Sequence, residues 1–137
     1  MGPEVTPLQA FEGPWNPAAM VDGTDWLVAT LVEPPPDPVE GNVIGVFVYD
    51  EQGANRVACS VVWTNGGWIQ TGTATAIPVG PMLRVAMFAR PAASGSNIYC
   101  AFDRGAPSLV GSVTPAPFYP ALTGVAKTRF HWFDVAR

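Results

Sequence analysis

Turn signals, many of them clusters of proline and glycine, punctuate this chain about every eight to twelve residues, and that spacing constrains its fold more than any other feature. Fifteen prolines and fourteen glycines stand among 137 residues. Both break helix interiors: proline lacks an amide donor and clashes with the preceding turn, and glycine loses the most conformational freedom. A mostly helical fold is therefore excluded. The segments between the breaks are short, apolar and rich in β-branched and aromatic residues, the pattern of strands in a sandwich or barrel. Hydrophobic residues form 48% of the sequence, enough to build a core and to exclude intrinsic disorder. The length suits one domain.

The strands can be placed from periodicity. Residues 26–33 read as a strand of the continuous apolar kind, with Val28, Thr30 and Val32 favouring strand over helix. Pro34-Pro35-Pro36-Asp37-Pro38 then forms a stiff connector, read as a crossover between two sheets. Over residues 42–50, Ile44, Val46 and Val48 share one face, and Val43, Gly45, Phe47 and Tyr49 the other. Residues 56–64 align Val57, Cys59, Val61 and Trp63. Asn65-Gly66 supplies both positive-φ residues of a type I′ hairpin turn, and residues 67–77 return. That register sets Trp63 opposite Trp68, either as hairpin packing or as a flat binding platform, with the continuing apolar face favouring packing. Further strands are expected at residues 82–90, 97–103, 109–113 and 128–135, with loops at 91–95 and 115–120. In the last strand, alternation puts Phe130, Trp132 and Asp134 on one face and His131, Phe133 and Val135 on the other. The expected core is Val46, Val48, Val61, Leu83, Val85, Ile98, Phe102, Phe130 and Trp132.

Residues 1–17 differ from the rest. Pro3, Pro7, Pro14 and Pro17 deny this segment the role of a central strand, and Phe11 and Trp15 are its large side chains. An extended N-terminal arm or edge strand, covering the domain's own sheet or reaching a neighbouring subunit, is expected there, ahead of a single β-sandwich domain over residues 18–137. Phe11 and Trp15 would be its assembly contacts.

Three stretches in order resemble concanavalin A-like and laminin G-like jelly rolls. Gly45-Val46-Phe47-Val48-Tyr49 with Asn55-Arg56-Val57 looks like the family's apolar strand, polar turn and return strand. Leu83-Arg84-Val85-Ala86 followed by Asn97-Ile98-Tyr99-Cys100-Ala101-Phe102-Asp103-Arg104-Gly105 looks like its Leu-Arg strand and a strand ending in an Asp-Gly turn, with Arg104 inserted. Arg129-Phe130-His131-Trp132-Phe133-Asp134-Val135 looks like its last strand, with His131 in place of an aspartate. The resemblance implies an all-β, antiparallel two-sheet jelly-roll β-sandwich, used for glycan or protein recognition.

Little in the sequence points to catalysis. The single histidine, His131, sits in an aromatic strand, and no Gly-x-Ser-x-Gly elbow accompanies it. Glu4, Glu12, Glu33, Glu40 and Glu51 fall in the N-terminal third and read as solvated loop carboxylates, without the paired acids of a glycosidase. Cys59 and Cys100 show no motif spacing; buried free thiols are the expected state, and one disulfide is permitted. No metal site and no cofactor are expected. A net charge of −4 argues against nucleic acid, and no apolar run is long enough to span a membrane. Met1-Gly2-Pro3-Glu4-Val5 has neither the basic nor the apolar region of a secretory signal, which suggests cytoplasmic origin.

The expectation is a non-enzymatic structural or interaction module of a larger assembly, such as a phage virion component. Charged residues are 13%, about half the usual share of roughly 25%, so much of the surface should be covered by copies of itself or by other virion proteins. The alternative is a carbohydrate-binding or receptor-binding domain, with Trp63, Trp68 and Tyr119 as ligand contacts stacking on a glycan.

Overall fold

The computed structural model describes residues 4–5, 21, 23–114 and 117–136. Among them are ten strands and no helix: β1 (Glu4–Val5), β2 (Trp26–Glu33), β3 (Val43–Tyr49), β4 (Asn55–Thr64), β5 (Gly67–Gln70), β6 (Leu83–Ala92), β7 (Gly95–Phe102), β8 (Ser108–Val113), β9 (Tyr119–Thr123) and β10 (Thr128–Ala136). They form a six-stranded sheet in the order β1-β10-β2-β6-β7-β8 and a four-stranded sheet in the order β5-β4-β3-β9. All strand pairs are antiparallel. Glu4 and Val5 pair with Arg129 and Thr128 at the edge of the larger sheet. Phe11 and Trp15, the expected arm contacts, lie outside the described residues.

Alternation explains the core. Val28, Val32, Leu83, Val85, Met87 and Ile98 of the larger sheet are buried, as are Ile44, Val46, Val48, Val61 and Leu122 of the smaller. Each fully buried side chain of this size contributes about 1.5–3 kcal/mol relative to exposure. The Asn65-Gly66 turn has φ of 52° and 78°, and Trp63 pairs with Trp68 and Thr64 with Gly67, the register the turn chemistry predicts.

Cys59 and Cys100 are joined by a disulfide, so the expected free thiols are corrected. Cys59 points inward from β4 and Cys100 inward from β7, and stacking the two sheets brings their Cα atoms to 5.4 Å. The bond staples one sheet to the other. Linear spacing carries no trace of this, because the pairing is created by tertiary stacking.

The last strand corrects the expected faces. Phe130 pairs with Val32 and Trp132 with the next residue, Leu31, so His131 is an extra residue and β10 bulges there. A bulge adds one residue and reverses the alternation beyond it. Phe130 is buried, but Phe133 and Val135 are the next side chains to pack against the core. Trp132 is half-buried on the outer face beneath Arg84, whose guanidinium carbon lies 5.9 Å from the ring centroid. Trp132 therefore leaves the expected core, whose other eight members are buried. The buried Thr30 hydroxyl donates to the Trp132 carbonyl at 2.6 Å and anchors the bulge.

Three boundaries also differ. Residues 119–120, expected in a loop, begin β9. The 91–95 loop is a tight hairpin turn at Ala93-Ser94, with Pro91 still paired to Ser96. The return over 67–77 stops at Gln70, and an isolated bridge joins Ile69 to Ala76 after a turn.

Candidate functional site

Three surface regions bring chemistry-bearing side chains together. The first is a groove of about 620 Å³ at one end of the sandwich. The connector between β2 and β3 forms one wall with Pro34, Pro35, Pro36 and Pro38, and residues 79–82, leading into β6, form another. Trp63 and Trp68 close the floor. Their rings meet edge to face, with centroids 5.3 Å apart at 70°. Trp68 is only 9% exposed, while Trp63 is half-buried; the pair therefore presents one open ring rather than two coplanar ones.

Glu33, the last residue of β2, stands at the rim of this groove. Its Oε1 lies 3.2 Å from His131 Nε2, with the histidine side chain 17% exposed and the glutamate 40%. The bulge at His131 makes this contact possible, since the extra residue opposes the end of β2. Glu33 is thus not an isolated solvated carboxylate. Nor is Glu40, whose carboxylate accepts hydrogen bonds from the Thr64 hydroxyl and the Asn65 amide. These two bonds, the Thr64 hydroxyl first, hold the Glu40 carboxyl below its usual range.

The second region surrounds Tyr119. Its ring stacks on Tyr49, centroids 5.6 Å apart at 27°, beside Asp50, Glu51 and Gly53. Tyr49 pairs with Asn55 at the start of β4, whereas Trp63 lies near its end. The structure therefore brings Trp63 and Trp68 together and places Tyr119 at the opposite end of the sheet.

The third region is the outer face of the six-stranded sheet. Cross-strand register lines up Leu27, Phe88, Tyr99 and Leu109 in one row. Ala29, Ala86 and Ala101 make the next row, and Trp132, Leu31 and Arg84 a third. Phe88 and Tyr99 stack at 5.5 Å, and Leu109 is 59% exposed. Asp134 pairs with Ala29 at the margin, and Arg90 lies over the Phe88 ring while pairing with Asp25 at 2.7 Å.

Among the described residues, no three of histidine, cysteine, aspartate and glutamate gather closely enough to hold a metal ion. The chain matches no family model, no curated protein and no solved structure. Its functional reading rests on geometry.

Sequence reasoning placed the tryptophan pair but missed both the groove and the apolar face. The face was legible: the residues alternating outward in β2, β6 and β7 include Leu27, Leu31, Phe88 and Tyr99 among alanines and a few polar residues, where a solvated face calls for mostly polar ones. The Glu33–His131 contact needed the bulge, for which the sequence carries no signal.

Proposed function

We propose that this chain is a non-enzymatic interaction module of a larger assembly, and that it associates with copies of itself through the outer face of the six-stranded sheet. The observation that carries this is the apolar row of Leu27, Phe88, Tyr99 and Leu109, in which Leu109 is exposed and the other three are half-buried. Apolar side chains gathered on an outer sheet face mark contact sites. A second copy fits it because the patch carries both signs of charge, Arg84 and Asp134, which lets the same surface meet itself across a two-fold axis.

The two antiparallel sheets are compatible with a β-sandwich, and a concanavalin A-like jelly-roll topology is part of the proposal. A phage virion is the proposed setting by analogy of fold. The disulfide supports it, because such bonds persist on virion surfaces and outside reducing cytoplasm. The proline-rich segment over residues 1–17, with Phe11 and Trp15, is proposed as a further assembly contact. Phe88→Asp tests the main claim: it should convert the associated form to monomer, read by light scattering, with an unchanged β-type circular dichroism spectrum. Association of equal strength in the folded variant refutes the assigned face.

A second reading, glycan binding, is favoured by the open Trp63 ring in its groove. A glycan array tests it: specific binding lost in Trp63→Leu supports it.

A further inference from the structure

We infer that the groove between the proline connector and the β4–β5 hairpin binds a cationic side chain, an arginine carried on an extended peptide segment of a partner protein. The single carboxylate and the open indole ring beside the proline wall carry the assignment. Pro34, Pro35, Pro36 and Pro38 line one wall. Proline offers a carbonyl acceptor and no N–H, so the backbone at these positions accepts hydrogen bonds and donates none. Glu33 is the one charged residue of the lining, and an ionised carboxylate is acceptor-only as well. The half-buried Trp63 adds the negative face of an indole. The whole chain carries −4, so the long-range field has the same sign.

An arginine meets each of these features. Its guanidinium brings donors and no acceptor, pairs with a carboxylate through two parallel bonds, and stacks on an aromatic face. Its aliphatic stem lies against the pyrrolidine rings. The volume of about 620 Å³ exceeds what one side chain fills, which leaves room for flanking peptide. An anionic ligand meets no cation in the lining. The groups around Glu33 are His131, in contact with it, and Arg129, opposite it in register; neither lines the groove.

The test uses the full disulfide-bonded chain, labelled to follow its tryptophan indole N–H resonances. The probe is a blocked pentapeptide with one arginine flanked by glycines, compared with the same peptide carrying citrulline, the neutral isostere. The arginine peptide is expected to shift the Trp63 indole resonance. The citrulline peptide should bind at least about tenfold more weakly, the usual worth of a charge-assisted hydrogen bond. Glu33→Gln should weaken the arginine peptide by a similar factor while keeping the fold, and Glu51→Gln, in the distant β3–β4 turn, should leave it unchanged. Equal weakening by both variants means diffuse attraction and overturns the site. So does equal affinity for the citrulline peptide, absence of any shift at millimolar peptide, or a shift produced by neutral oligosaccharides alone.

Discussion

Reducing the Cys59–Cys100 bond should remove a large share of the chain's stability. The bond joins residues 41 apart in sequence. Chain-entropy bookkeeping for a loop of that length gives about 4 kcal/mol, because the crosslink narrows the unfolded ensemble. Net stabilities are typically about 5–15 kcal/mol, so the loss is severe. Reduction, unlike mutation, leaves both sulfur atoms in the core and opens no cavity. For a domain of this size the expected fall in Tm is about 15 °C. The assay is urea unfolding followed by tryptophan fluorescence, with and without reductant, after alkylation and intact mass have established the redox state. The slope against urea should rise on reduction, since the uncrosslinked chain exposes more surface. Coincident unfolding midpoints for the two forms would refute the reasoning. Alkylation of both thiols in unreduced native protein would refute the bond itself.

The bulge reading separates two neighbouring aromatics. Phe130→Ala, at 1% exposure, should cost about 3–5 kcal/mol, and Trp132→Ala under about 2 kcal/mol; equal losses in denaturant midpoints would restore simple alternation. Gly45→Ala should destabilise by about 1–3 kcal/mol or more, because its Cβ would lie 2.3 Å from the Cys59 carbonyl oxygen and 2.6 Å from Ser60 Cα; a wild-type thermal midpoint contradicts the close approach. Glu40 should titrate below the ordinary glutamate value in an NMR pH series, and Thr64→Val should raise its midpoint. With the folded pKa depressed, the stability it contributes is present above the unfolded carboxylate pKa and is lost as pH falls through the folded value. An ordinary glutamate midpoint for Glu40 would mean that the turn contacts do not form.

Most of the sheet structure was legible because period-two alternation and turn chemistry act locally. The Trp63–Trp68 register follows from Asn65-Gly66, and the β2 boundaries from an apolar run that stops at the proline connector. What was not legible is non-local. The disulfide depends on how two sheets stack. The bulge at His131 depends on the fit of β10 to β2, where the Thr30 hydroxyl holds the Trp132 carbonyl. β9 was hidden because Tyr119-Pro120 reads as a loop; at the sheet edge a proline costs no ladder bond on its open side. The groove combines two connectors distant in sequence with a hairpin, and its one charged member, Glu33, sits at a strand end where charge is ordinary.

Self-association through the outer face of the larger sheet is best read from a dilution series in sedimentation velocity. A species at a multiple of the 14.5 kDa chain mass is expected at tens of micromolar, about the range of a modest interface, dissociating to monomer on dilution. A single monomeric species at every concentration would contradict it.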